Sequence, residues 1–215
     1  QPLPVPAPAA PAQEESAPQP PAAPSLPAVL PEVPDAYRGT LLAEDMSHQT
    51  TGIGIGFGKA AVKNYTKLSA DEILSVLSTP SSLKLDGAEG SAQPLVLIYH
   101  THATESFEPY DLDYYDKRNT WRSTDNTRNM VAVGAQLAAA LRENGIPTLH
   151  DTTQHDYPSY NGAYDKSRET VERYLKEYPS IRLVLDVHRD AIERSEGLIV
   201  KPAAEIDGRR AAQLM

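Results

Sequence analysis

Leu95, Val96, Leu97 and Ile98 form an unbroken apolar run that passes directly into His100 and His102. Leu183, Val184 and Leu185 make a similar approach to His188. Such runs predict short strands buried on both faces, as in a parallel sheet covered by helices. Between them, Met130, Val131, Val133, Leu137, Ala138 and Leu141 recur at helical spacing. Thr124 or Asp125 is the expected cap of this helix, and Gly145 with Pro147 its end. Thr148 to His150 then reads as a strand, and Tyr164 to Glu177 as a helix that packs Val171, Tyr174 and Leu175 inward and halts before Pro179. Strand, helix, strand, helix, strand is the order of a three-layer α/β/α domain with a mostly parallel sheet.

The flanking pattern is weaker. Ser69 and Glu72 make a capping box for a helix to about Ser78, with Ile73, Leu74 and Leu77 facing inward. Ahead of it, Gly52 to Gly58 reads as an extended approach to a strand over Ala60 to Asn64, with no dinucleotide fingerprint following it. Pro34 to Thr51 reads as irregular. Near the other end, Gly197 to Lys201 reads as a strand, Asp207 with Gly208 as a turn, and Gly208 to Met215 as a helix broken off.

Residues 1–35 contain twelve of the nineteen prolines and carry no periodic apolar face. That composition cannot bury enough surface to offset ordering, so a disordered Pro/Ala-rich linker is expected, reaching on the order of 100 Å if extended. Residues 36–215 are left for one domain. A net charge of −9 argues against a nucleic-acid partner, which needs a basic surface. The absence of cysteine removes thiolate ligands, disulfides and a cysteine nucleophile. No run approaches the roughly 20 apolar residues of a membrane span.

The two histidine-bearing strand ends suggest a metal site. His102 and Glu105 stand in a His-x-x-Glu spacing, and His188 adds a second imidazole. Two neutral imidazoles and a carboxylate, with the fourth position open to water, is the donor set of a catalytic zinc. Asp186 and Asp190 flank His188 and are placed to hold its other nitrogen. His100, two residues from His102, is a further candidate, whereas His150 and His155 read as hydrogen-bonded loop histidines. The aromatic stretch with Tyr110, Tyr114, Tyr115 and Trp121 is either a substrate wall or a surface loop capping the core.

LIYHTHATESF, NMVAVG, HDYPSYNGAYDKSRET and LVLDVHRDAI, in that order, resemble the stage II sporulation protein P family of cell-wall hydrolases from about Gly54 onward. The resemblance implies a zinc-dependent N-acetylmuramoyl-L-alanine amidase, with endopeptidase activity also credited, acting during engulfment. It implies a zinc amidase-like fold, Zn²⁺ as cofactor and peptidoglycan as substrate. It further implies a partnership with stage II sporulation protein D, an upstream membrane anchor, and an extracytoplasmic place at the cell wall. His102 and His188 are the matched ligands. The wider zinc amidases draw the ligand carboxylate from the start of a helix, which points to Asp125 as an alternative to Glu105. They place the general-base glutamate near the end of the domain, so it is expected beyond Met215 in a chain read as truncated. The HDYPSYNGAYDKSRET stretch is expected to border the cleft, with Arg168 gripping a peptide carboxylate beside Tyr160 and Tyr164.

Two other readings stand beside the amidase. His-x-x-Glu with a distant His is also the ligand pattern of zinc carboxypeptidases and endopeptidases, and a fragment without catalysis would be a peptidoglycan-binding module.

Overall fold

The computed structural model describes residues 32–46, 54–58, 60–85, 93–108, 110 and 112–213. Most of the expected Pro/Ala-rich linker lies outside them. The chain is a mixed α/β protein, and among the described residues the strands form three sheets.

The sheet that carries the candidate site is parallel and three-stranded. Its strands are β4 (Val96–Tyr99), β6 (Thr148–His150) and β7 (Leu183–Asp186), in the order β6-β4-β7. Val96, Leu97 and Ile98 are fully buried, as their unbroken apolar run requires. Helix α2 (Met130–Glu143) joins β4 to β6, and helix α3 (Ala163–Glu177) joins β6 to β7 across β4. With β4 in the middle, the two crossovers leave in opposite directions, and right-handed connections then place their helices on opposite faces. The contacts agree with this. Ala138, Leu137 and Leu141 of α2 pack with Val96 and Ile98, while Tyr99 shares a groove with Tyr164, Ser167 and Val171 of α3. A strand order that reverses in this way opens a crevice at the carboxyl ends of the strands. The register makes those ends nearly flush, because Ile98 pairs with His150 and Tyr99 with Asp186.

The expectation of one mostly parallel sheet is corrected by the rest of the chain. β1 (Arg38–Glu44), β5 (Tyr114–Asp116), β8 (Ile192–Ser195), β9 (Leu198–Ile206) and β10 (Arg209–Ala212) form a five-stranded sheet in which only β1 and β9 are parallel. The segment read as irregular thus contains β1, whose partner β9 lies at the other end of the chain. The helix expected over Gly208 to Met215 is instead β10, turned back on β9 at Asp207 and Gly208. Both turn residues have positive φ, 51° and 72°, the backbone that a two-residue hairpin demands and that Asp-Gly supplies. Half of the aromatic stretch is likewise structural: Tyr115 is buried in β5, and its ring packs on Trp121 at 5.6 Å.

The third sheet is the hairpin of β2 (Gly54–Phe57) and β3 (Ala60–Lys63), beside helix α1 (Ala70–Ser78). The capping box forms as expected, with Ser69 Oγ accepting from Glu72 N and Glu72 Oε2 from Ser69 N. The expected inward face is only partly realised, since Ile73 and Leu74 are half-buried and Leu77 is exposed. Similarly, Val133 on α2 and Leu175 on α3 are exposed, and the buried positions are Met130, Val131, Gly134 and Ala138 on α2 and Ala163 and Ser167 on α3. No helix of the described residues is long and apolar enough to cross a membrane.

Gly134 is buried because two imidazoles lie against it. A Cβ there would sit 2.5 Å from both His100 Nε2 and His150 Nε2. Alanine would gain about 1 kcal/mol of helix propensity. Overlap with two rings bonded to each other in the interior outweighs it, at roughly 2–3 kcal/mol. Gly134→Ala is therefore expected to lower the melting temperature by about 3–6 °C; an unchanged or raised melting temperature in calorimetry would refute the close packing.

Candidate metal centre at the carboxyl edge of the parallel sheet

Each strand of the parallel sheet delivers polar side chains to the same rim. β4 leads into Thr101, His102, Thr104 and Glu105; β6 into His155 and Asp156; β7 ends on Asp186 and leads to His188. The loop after β4 is held in place by its own ladder contacts. Glu105 bridges Arg122, Ser106 bridges Asn129, and Met130 N donates to Glu105 O. The loop and the start of α2 are therefore one piece. Asn129, whose side chain accepts from Val131 N, caps that helix in place of the expected Thr124 or Asp125.

The predicted ligands His102, Glu105 and His188 are brought together. The rings of His102 and His188 lie 5.3 Å apart between centroids at an interplanar angle of 73°. His188 Nδ1 is 3.7 Å from Glu105 Oε2, and Arg189 N donates to the same oxygen at 3.3 Å. His188 Nε2 bonds Asp186 Oδ2 at 2.9 Å. Of the two flanking aspartates, Asp186 takes this role, while Asp190 accepts from Ala191 N.

The donors are neighbours without being convergent: among the described residues, no three His, Asp or Glu side chains are drawn close enough to enclose an ion. The residues nevertheless fit one. Two imidazoles sharing a zinc at about 2.0–2.1 Å and a tetrahedral angle have centroids about 5 Å apart. His102 Nδ1 is buried and has no hydrogen-bond partner, its nearest acidic atom being Asp156 Oδ2 at 3.9 Å. Burial lowers the pKa of His102 against the opposing pull of Glu105, which favours the neutral ring that ligates. Burial raises Asp186, but the Thr101 amide and hydroxyl and His188 outweigh it, so its carboxyl is held below the ordinary range.

The alternates are placed elsewhere. His100 is fully buried with Nδ1 on Val187 O at 2.9 Å and Nε2 on His150 Nε2 at 2.9 Å, so both its nitrogens are engaged away from the cluster. Asp125 stands in an exposed turn, its Oδ1 accepting from Thr127 N and Oγ1. His155 is a buried loop histidine as expected, bonded to His100 O and Thr170 Oγ1.

Tyr160 lies flat on His102, with centroids 4.6 Å apart and planes 7° from parallel, and Tyr164 meets the same ring edge-on at 5.3 Å. Both tyrosines are otherwise exposed. Arg168 is ion-paired to Asp165 on the exposed side of α3, facing the open groove with Tyr99 and Tyr164. Sequence reasoning missed a second cation. Arg122 Nη1 donates to Asp156 Oδ2 at 2.8 Å and to Thr104 Oγ1 at 3.1 Å, its Nη2 lies 3.9 Å from Glu105 Oε1, and its guanidinium covers Tyr160 at 4.9 Å. It also lines a 270 Å³ cleft with Phe107, Tyr110 and Arg128, and of the aromatic stretch Tyr110 alone lines that cleft.

The buried imidazole pair beneath the rim makes stability pH-dependent. Burial, then His100 and Arg142, push His150 down to about 4. Unfolded, the same ring titrates near 6.5. Between those values the unfolded chain binds the extra proton, so stability is full above pH 6.5 and falls as the pH drops towards 4. After allowance for partial solvent access the loss is about 2 kcal/mol. Urea midpoints from pH 7.5 to 4.5 should fall more steeply in the parent than in His150→Gln; parallel curves would contradict the pairing.

Residues 53–215 match the family described as stage II sporulation protein P. The chain is 29% identical over 108 residues to stage II sporulation protein P of Bacillus subtilis (strain 168), an alignment covering 47% of this chain and 26% of that relative. The aligned chain thus spans about a quarter of the relative's length. No solved structure matches. With the family match running through every strand and loop that builds the site, the chain belongs to the stage II sporulation protein P family.

Proposed function

We propose that this chain is a zinc-dependent peptidoglycan hydrolase, cleaving the amide between N-acetylmuramic acid and L-alanine during engulfment. The observation that carries the reading is the meeting of His102, His188 and Glu105 at the switch point of the parallel sheet. His102, His188 and Glu105 would hold the metal. A bound zinc supplies Lewis-acid polarisation of the scissile carbonyl and a water of lowered pKa.

The chain's own residues supply the rest. Asp186 holds His188 through Nε2 and leaves Nδ1 facing Glu105. Arg122, anchored by Asp156 and stacked on Tyr160 with its Nη2 3.9 Å from Glu105, is the cation at the rim that would offset negative charge developing on the carbonyl oxygen. Tyr160 and Tyr164 present exposed rings against which sugar or peptide can stack, and Arg168 is the more distant carboxylate grip. An extracytoplasmic location, an upstream anchor and a partnership with stage II sporulation protein D accompany this reading.

Digestion of purified peptidoglycan tests it, with chelated protein, zinc-restored protein and buffer compared. Zinc-dependent release of stem peptides with new L-alanine amino termini is expected. New termini within the peptides would move the assignment to a zinc peptidase, and binding to the sacculus without any product would overturn the hydrolase.

A further inference from the structure

His102 is bracketed by two threonines that do the same thing in opposite directions. Thr101 N donates to Asp186 Oδ1 at 2.9 Å and its hydroxyl to Asp186 Oδ2 at 2.7 Å. Thr104 N donates to Asp156 Oδ1 at 3.2 Å and its hydroxyl to Asp156 Oδ2 at 2.6 Å. Each threonine thereby grips both oxygens of one aspartate, and each aspartate faces one of the two candidate ligand rings. Asp186 Oδ2 meets His188 Nε2 at 2.9 Å, and Asp156 Oδ2 faces His102 Nδ1 at 3.9 Å. We propose that these paired Thr-Asp clamps are positioning devices that set the ring orientation and tautomer of His188 and His102, and with them the metal affinity of the site. The inference rests on the metal-site reading above.

The chemistry runs from the outside in. Thr101 Oγ1 lies 2.9 Å from Ser167 Oγ on α3, so the hydroxyl that donates to Asp186 is itself oriented by the helix. Arg122 Nη1 donates to Thr104 Oγ1 and to Asp156, which orients the second hydroxyl from the opposite side. Thr101 and Thr104 are buried, so neither has water as an alternative partner. An ionised carboxylate only accepts, so the His188 nitrogen facing Asp186 must carry the proton. The lone pair is then confined to Nδ1, the nitrogen 3.7 Å from Glu105. A ring fixed in one tautomer by a carboxylate is both oriented and made more basic as a ligand.

The second clamp is the same device in an open state. His102 Nδ1 is buried and without a partner, and the one acidic oxygen beside it is already held by Thr104 and Arg122. A small shift of the ring towards Asp156 pairs that nitrogen and leaves the lone pair on Nε2. The gap therefore marks where the site tightens. A purely structural account of Asp156 explains its bonds to Thr104 and Arg122 but leaves the orphaned nitrogen opposite it unexplained.

The test compares Thr101→Val and Thr104→Val with Thr101→Ser and Thr104→Ser. Zinc affinity is read by competition with a chromophoric chelator, and the ring tautomers of the metal-free protein by long-range ¹H–¹⁵N spectra. The valine variants should bind zinc roughly 10- to 100-fold more weakly, while serine, which keeps the hydroxyl, restores affinity to within roughly threefold. His188 should carry its proton on Nε2 in the parent and lose that preference in Asp186→Asn. Parent-like affinity in both valine variants, or a His188 proton on Nδ1 in the parent, would overturn the proposal. Should a valine variant fail to fold, the serine variants and the parent's tautomer still decide it. A parent that binds no zinc yet keeps His188 protonated on Nε2 would sink the metal reading and leave the Asp186 clamp standing, so the two failures are distinguishable.

Discussion

Exchange of His188 for alanine is expected to lower peptidoglycan hydrolysis at least 1000-fold, about 4 kcal/mol of transition-state stabilisation, while the melting temperature moves by only a few degrees. The separation of the two effects follows from where the side chain sits. His188 is partly exposed at the rim, and Asp186 keeps both Thr101 bonds when the imidazole is removed. The fold therefore loses one hydrogen bond, and the site loses one of its two imidazoles, while Glu105 Oε2 keeps its bond from Arg189 N. Kinetics on purified peptidoglycan beside calorimetry check this. Activity within tenfold of the parent would remove His188 from the site, and a collapse of stability would make it a structural histidine.

Replacing Gly39 by alanine is expected to cost about 3 kcal/mol, the largest stability effect of any conservative change identified in the fold. Gly39 on β1 pairs with Tyr115 on β5, and the tyrosine ring lies directly over it. A Cβ at residue 39 would fall 2.0 Å from Cζ and 2.2 Å from Cε1 of that ring. The ring cannot yield easily, because Tyr115 is buried and its hydroxyl donates to Gly197 O at 3.2 Å, just ahead of β9. Tyr115 thus straps β5 across β1 to β9, and the missing side chain of Gly39 is the slot it occupies. A fall in melting temperature of about 6–12 °C is expected. In a Gly39→Ala/Tyr115→Leu double variant the loss should be clearly smaller than the sum of the single losses, because the ring is the obstacle. Strict additivity would mean the two positions do not meet.

What could be read from the sequence, and what could not, follows from how local each determinant is. β4 and β7 announce themselves through apolar runs that end in histidine, and the rim residues His102, Glu105 and His188 come with them. The α1 capping box is equally local. β1, β9 and β10 are not, because their pairing joins residues near opposite ends of the chain, and the Ala-rich Arg209–Ala212 strand looks helical until the Asp207-Gly208 turn fixes it as a hairpin. The cap of α2 was ambiguous for the opposite reason. Thr124 and Asp125, the expected caps, suit the position by residue type, and Asn129 takes it instead because the Ser106 and Glu105 backbone contacts tie the helix start to the loop after β4. Arg122 and Asp156 left no periodic signal at all. They are recognised only once Thr104, His102 and Tyr160 surround them.

The same locality explains why two imidazoles so far apart in sequence meet. They are brought to one another by the register that makes Tyr99 and Asp186 partners at the sheet edge. Everything chemical in the account depends on that meeting.

Its most direct test is the metal content of the protein itself. After equilibration with zinc and removal of free ion, elemental analysis should find about one zinc per chain in the parent and background levels in both His102→Ala and His188→Ala. Stoichiometric zinc retained by both variants would contradict the ligand set, as would a parent chain that holds none.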